Sequence, residues 1–180
     1  MAGEIWLGNT TFNTPMLWIN KYLQEKIPEL TGLNTFPFFP STPSTIDDLT
    51  EYFMTSTQGV AATWDRLVRM RRSTFPHIKQ EQALYYFYAQ GDNPIETMVR
   101  IQETVLRLMD REDETAKEIN DWARDYGPIN GMSCKFYFHR FKIYQLQEVR
   151  DIVSFGTART YGGNKIIIDF EYHQHPSIIS

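Results

Sequence analysis

The sequence has a single cysteine, Cys134, among 180 residues, so no disulfide can form within the chain. A chain of this size without disulfides is typical of a reducing compartment, and we expect this thiol to be a small core residue. No run of about 18 apolar residues occurs, and the first residues lack the basic and apolar parts of a signal peptide. The sequence therefore predicts a soluble chain with neither a membrane-spanning helix nor a secretory signal.

Motifs for phosphate binding and nucleophilic catalysis are also missing. The sequence contains no Gly-x-Ser-x-Gly, no P-loop and no dinucleotide-binding glycine pattern, and we interpret Gly162 and Gly163 as a hairpin turn. Cys134 has no neighbours that resemble those of a cysteine-protease nucleophile. We therefore expect no catalytic site and no bound cofactor.

Residues with metal-ligand chemistry are present, but not in a familiar spacing. The run from Asp110 to Asp125 places carboxylates three or four residues apart, where a helix can present them to one hard cation. Basic residues interrupt this run, which is typical of a solvent-exposed or inter-subunit face. His173 and His175 form a His-x-His pair, but the sequence places no third ligand near them. We therefore predict no metal site and expect these histidines to lie at a strand end.

An excess of positive charge is absent as well. The net charge is −4, which argues against a protein that binds nucleic acid mainly through electrostatics. One local basic cluster stands out, and arginines at that density can contact phosphates or pair with carboxylates of a neighbouring copy. We favour the second role. The predicted partners are Arg66, Arg69, Arg71 and Arg72 on one copy and Asp110, Glu112, Asp113 and Glu114 on the next.

Hydrophobic spacing divides the amino-terminal third into an arm, a helix and an extended segment. Residues 1–13 are predicted to form an arm, and an amphipathic helix begins at Pro15, with Thr14 as N-cap, and ends before Pro28. Residues 33–59 form an insertion-like, proline-rich loop followed by a short helix. Three aromatic residues of this loop need packing partners and are predicted to contact another subunit: Phe36, Phe38 and Phe39.

The remaining two thirds mix strand and helix signals. Residues 60–72 are ambiguous, and we favour a strand from about Ala62, followed by an aromatic strand at 83–89. A capping box at Asn93–Glu96 opens a long helical segment with a break near 110–114. Three strands are then predicted: 134–144, 147–159 and 165–173, the last two joined by a glycine-rich turn at 161–164. The sequence therefore predicts a single α+β domain over residues 1–180, with a mainly antiparallel sheet of about four strands packed against helices.

This order of elements resembles the tail-terminator and tail-completion (sheath-stabiliser) proteins of tailed bacteriophages. The matching segments are the helix at 15–27, the strand from Phe75 to Ala89, the helix opening at Pro94 and the paired strands at 148–153 and 166–172. The resemblance covers most of residues 14–173 and rests on element order rather than on a short motif. The insertion-like segment and the helix break near residue 113 depart from the family's pattern.

The resemblance implies a non-enzymatic structural protein of the virion, assembled in the host cytoplasm. Such a protein forms a homohexameric ring that caps the tail tube and docks the tail to the neck. The implied partners are further copies of the chain, the tail tube protein, and sheath and neck proteins. Genomic DNA would pass through the ring without sequence recognition, and no membrane is involved. An abundance of aromatic residues, 14% of the chain, agrees with large interfaces.

Two alternatives remain open at the level of sequence. A head-completion or neck protein that joins the portal to the tail has the same compositional signature. A small enzyme or ligand-binding domain is the third possibility, with an aromatic pocket near Tyr85, Tyr86 and Tyr137. This third possibility requires a concave pocket with convergent polar groups, whereas a ring subunit requires extensive interfaces.

Overall fold

A computed structural model describes residues 13–28, 60–67, 77–90, 94–153 and 160–175. These residues contain α1 (Pro15–Lys26), β1 (Val60–Leu67), β2 (Lys79–Gln90), α2 (Pro94–Met109), α3 (Asp113–Tyr126), β3 (Phe136–Val153) and β4 (Thr160–Gln174). The four strands form one antiparallel sheet in the order β1-β2-β4-β3. The predicted α+β class is therefore confirmed. The predictions for the arm up to residue 12 and for residues 33–59 lie outside the described residues.

One face of the sheet is covered by the helices and forms the core. Alternate residues of β2 and β4 point to this face, so that Tyr85 is paired with Ile166 and Ala83 with Ile168 across the two strands. On β3, Phe138 and Phe141 join the same cluster. Burying side chains of this size stabilises a fold by about 1.5–3 kcal/mol each. The main buried sheet residues are Ala83, Tyr85, Phe87, Phe138, Phe141, Ile166, Ile168, Phe170 and Tyr172.

Helix α1 is buried on most of its surface. Its start is as predicted, since the Thr14 side chain accepts the backbone N–H of Leu17 and Pro15 occupies the first helical position. The predicted apolar residues of this helix are buried and Glu25 and Lys26 are exposed, but burial extends further around the helix than expected, because Asn20 and Gln24 are also buried. Tertiary contacts cover both sides: Tyr22 packs edge-on against Trp122 of α3, with ring centroids 5.4 Å apart, and Asn20 accepts a hydrogen bond from the Tyr85 hydroxyl of β2.

Helices α2 and α3 are two separate helices, as the break near residue 113 predicted. Helix α2 ends at Met109 and α3 begins at Asp113, and Glu112 between them has a positive φ of 48°. A positive φ is uncommon outside glycine, so a regular helix cannot pass through this residue. The Thr115 hydroxyl donates to the Leu108 carbonyl at 2.7 Å and so links the beginning of α3 to the end of α2.

The carboxyl-terminal strands differ from the prediction. The predicted strands at 134–144 and 147–159 are one strand, β3, which accommodates extra residues through irregularities at Phe138/Arg140, Ile143/Gln145 and Val149/Ile152. The predicted turn at 161–164 is wrong as well, because Gly162 and Gly163 lie within β4, opposite Ala89 and Tyr88 of β2. Glycine is compatible with a strand interior, although it supplies no side chain for packing. Chain reversal falls between Val153 and Thr160 instead.

Candidate functional site

The predicted acidic interface lies at the α2–α3 junction, where much of its charge already has a partner within the chain. Arg140 of β3 donates to Glu112 Oε1 at 2.9 Å, and this hydrogen bond lowers the pKa of the Glu112 carboxyl. Glu114 lies 3.7 Å from the Arg111 guanidinium. Asp113 is the first residue of α3, where the positive end of the helix dipole stabilises a negatively charged carboxylate. These contacts reduce the charge that is left for a neighbouring copy.

The basic half of the predicted interface falls mostly outside the described residues. Arg66 lies in β1, where its backbone is paired with Ala83 of β2. Arg69, Arg71 and Arg72 lie outside the described residues, as do Phe36, Phe38 and Phe39. Pairing between these arginines and the acidic residues of another copy therefore stays a prediction.

The outer edge of β3 is closed by the α2–α3 region along part of its length. Asn120 of α3 accepts the Phe138 N–H at 2.9 Å and donates to the Phe138 carbonyl at 2.8 Å, so its amide replaces a neighbouring strand. Further along the edge, the Glu112 carbonyl accepts the Phe141 N–H at 3.3 Å and Asp110 Oδ1 accepts the Ile143 N–H at 3.1 Å. An open edge is a template for pairing with another chain, and these contacts remove that possibility here.

A second network connects α1 to the same junction. Arg111 donates to Glu118 Oε2 at 2.6 Å, and the Tyr22 hydroxyl of α1 donates to the same oxygen at 3.3 Å. Burial, followed by the negative charge of Glu118, raises the pKa of Tyr22 to about 12. Tyr22 therefore stays neutral and acts as a hydrogen-bond donor between the two helices.

Two of the three tyrosines predicted to line an aromatic pocket, Tyr85 and Tyr137, lie on different faces of the sheet. Tyr85 is fully buried on the helix-covered face, where its hydroxyl donates to the Asn20 side-chain oxygen. Tyr137 is paired with His173 on the opposite face and is 44% exposed. The side chain of Tyr86 lies outside the described residues. Tyr85 and Tyr137 therefore do not line one pocket together, because they lie on opposite faces of the sheet.

Sequence reasoning missed a buried polar contact beneath the sheet. Glu81 of β2 is on the helix-covered face, and its Oε1 accepts a hydrogen bond from the Tyr172 hydroxyl of β4 at 2.9 Å. The two residues are 91 positions apart, so no local pattern links them. A buried carboxylate needs such donors, because an unsatisfied polar group costs about 1–3 kcal/mol.

All four histidines of the chain lie close together, near the Phe136 end of β3. His139 Nε2 and His173 Nδ1 are 2.7 Å apart and share a hydrogen bond. The ring of His175 is 5.0 Å from that of His173, and the ring of His77 is 6.4 Å from it. We call these four residues the histidine cluster. The sequence indicated only His173 and His175 as neighbours, because the other two are brought in by strand pairing.

An open cavity of about 750 Å³ lies beside the histidine cluster, between α3 and the start of β3. Tyr137 and His175 line it on the sheet side, and Lys117 and Arg124 line it on the helix side. Cys134 lies at its wall, and burial raises the pKa of this thiol to about 11. The thiol is thus protonated at neutral pH. Cys134 packs against the core but is only partly buried, so it lies at the margin of the core rather than in its interior, where it was expected.

Within the described residues, no three or more His, Cys, Asp or Glu side chains are arranged to hold a metal ion. No helix in this part of the chain has both the length and the apolar character needed to cross a membrane. Neither a protein-family model nor a curated protein matches the sequence.

Proposed function

We propose that this chain is a structural virion protein of a tailed bacteriophage, a tail-terminator or tail-completion subunit that forms a ring on the tail tube. The proposal rests on the resemblance in element order and on one feature of the surface. Among the residues whose side chains the structure describes, five large hydrophobic ones are 40–60% exposed: Ile95, Val99, Tyr126, Tyr137 and Tyr144. Aromatic and aliphatic residues at the surface are typical of interfaces, although single exposed residues are common in monomers.

The arrangement of these residues supports more than one contact surface. Ile95 and Val99 are four residues apart on α2 and therefore lie on one side of that helix. Tyr144 lies on β3, beside the part of the edge that is closed by the α2–α3 region. A ring requires two different patches on each subunit, because each copy contacts one neighbour with each side. Surfaces on α2 and β3 meet this requirement without strand addition along the closed edge.

The experiment that tests this proposal combines native mass spectrometry with negative-stain imaging, with and without polymerising tail-tube subunits. We expect a six-fold ring that caps the tubes. Val99→Asp and Tyr144→Asp should each release monomers, because a charge in an apolar contact is costly to bury. Arg107→Gln, an exposed change on the same helix but about 80° around it from Val99, is the control and should leave the ring intact.

A wild-type chain that stays monomeric and ignores tubes would contradict the proposal. A ring with a different copy number that binds a portal connector, rather than the tube, would instead support the head-completion or neck alternative. Tyr85 and Tyr137 lie on opposite faces of the sheet, so these two tyrosines do not support the single aromatic pocket of the enzyme or ligand-binding alternative.

A further inference from the structure

The geometry of the histidine cluster depends on the protonation state of its imidazole rings. In an N–H···N hydrogen bond, one imidazole nitrogen donates and the other must be unprotonated to accept. The bond between His139 Nε2 and His173 Nδ1, at 2.7 Å, therefore survives with both rings neutral or with one ring positively charged. A second proton in this pair leaves two N–H groups facing each other and two positive charges in contact.

The surroundings of the pair also disfavour positive charge. Burial, followed by the charges of His139, His175 and His77, lowers the pKa of His173. On β4, Glu171 lies two residues before His173 and on the same side of the strand, but its charge acts on Arg140. Across the cavity, α3 contributes two cations and one carboxylate, and that carboxylate is 3.1 Å from one of the cations. These three groups are Lys117, Arg124 and Asp121.

The pair holds together one corner of the sheet. Tyr137 contacts three of the four imidazoles, with ring centroids 5.3 Å from His139, 5.5 Å from His173 and 6.1 Å from His175. The backbone N–H of His175 donates to the Lys135 carbonyl at 2.8 Å, just before β3 begins. The cluster therefore connects the beginning of β3 to the end of β4 and fixes the position of an exposed tyrosine.

We propose that the histidine cluster is an acid-sensitive latch, which holds the beginning of β3 and the end of β4 together at neutral pH and opens when the His139–His173 pair takes up a second proton. The ligand of this site is the proton. Opening frees Tyr137 from its imidazole neighbours and changes the surface beside the cavity. The inference does not depend on the proposed role in a phage tail.

The direction of the pH effect follows from linkage. A histidine with a lowered pKa in the folded state stays neutral while the unfolded chain is already protonated, so the unfolded state binds more protons as the pH falls. The stabilising contribution of His173 is complete above the ordinary pKa of about 6.5 and is lost as the pH falls below it. Each unit of lowered pKa corresponds to about a tenfold change in the closed-to-open equilibrium.

The test is an NMR titration of the four imidazoles in the folded chain, together with amide hydrogen exchange at about pH 7.5 and about pH 5. We expect the His173 ring to titrate below the ordinary histidine pKa of about 6.5. The protection of the His175 amide should fall about tenfold per unit of lowered pKa, after correction for intrinsic exchange. Protection of amides in α2 should not change, because no residue of this helix lines the cavity beside the cluster.

Two variants distinguish opening of the latch from a nonspecific loss of stability at acidic pH. His139→Gln keeps a hydrogen-bonding side chain but removes the second titrating ring, so the pKa of His173 should rise and the His175 amide should keep its protection at acidic pH. His77→Gln, whose ring centroid is farther from His173, should give a smaller effect in the same direction. An unchanged His173 pKa in His139→Gln would overturn the proposal. So would equal protection of the wild-type His175 amide at both pH values, a measurement that needs no variant.

Discussion

The two faces of the sheet are built from the same strands but carry different chemistry. On the helix-covered face, the rings of Phe141 and Phe170 are stacked, with centroids 5.8 Å apart, and Tyr85 and Phe87 are stacked at 5.9 Å. The opposite face carries His173 and charged residues such as Lys142 and Asp169, which are paired across β3 and β4. The covered face therefore carries the main core, whereas the opposite face is mixed, since it carries these polar groups beside Leu84 and Ile167, which are also buried.

Replacing a core aromatic should have the largest effect and would test the difference directly. Phe138 is buried and lies within 6.4 Å of three other aromatic rings, so Phe138→Ala should lower the free energy of unfolding by about 3–5 kcal/mol. Tyr144→Ala, on the same strand but largely exposed, should change it by less than about 0.5 kcal/mol. Urea denaturation of both variants measures the contrast. Similar values for the two would mean that the faces are equally buried, for example through assembly.

The thiol of Cys134 marks the boundary between core and surface. Because burial raises its pKa from 9.0 to about 11, the thiolate fraction at pH 7–9 should be about a hundredfold below that of a free thiol. Alkylation by iodoacetamide should be slower by about the same factor and should rise about tenfold per pH unit. Unfolding releases this proton between pH 9 and 11, so stability should fall with rising pH in that range. Rapid alkylation at pH 7 in the folded state would show that the thiol is exposed.

The closed edge of β3 offers the next test. Asn120→Ala removes both hydrogen bonds to the Phe138 backbone and leaves these groups without their partner, at a cost of about 1–3 kcal/mol. Asn120→Asp keeps an acceptor for the Phe138 N–H but loses the donor, and should be intermediate. Lys117→Ala, an exposed change on the same helix, is the control for denaturation measurements. If the edge protects against strand pairing, Asn120→Ala should also increase aggregation in light scattering.

The smallest effect is expected at the exposed pair of Arg140 and Glu112. Arg140→Glu places two carboxylates together and should lower the denaturation midpoint slightly, since solvent screens surface charges. Exchanging the charges in Arg140→Glu/Glu112→Arg should restore the midpoint if the pair acts within one chain. The same double variant should leave ring assembly unchanged. Loss of the ring with a restored midpoint would show that Glu112 contacts a neighbouring copy, as the sequence suggested.

Local patterns in the sequence were sufficient for several elements of the fold. The Thr14-Pro15 start of α1, the break near Asp113 and the aromatic strand at 83–89 all follow from the capping and periodicity of neighbouring residues. The prediction was wrong where two local signals competed. Glycines at 162 and 163 indicate a turn by composition, yet both are paired with β2, and Gly163 is also paired with Val149 of β3, so they remain in β4.

The sequence by itself determined the fold class and most of the helices and strands, because helix caps, helix breaks and strand alternation depend on residues a few positions apart. Only the tertiary structure decided which side chains share a site. Asn120 reaches the Phe138 backbone, Glu81 meets the Tyr172 hydroxyl, and His139 meets His173, over separations of 18 to 91 residues. Such contacts depend on strand order and register, which are set by packing across the whole sheet rather than by any local pattern.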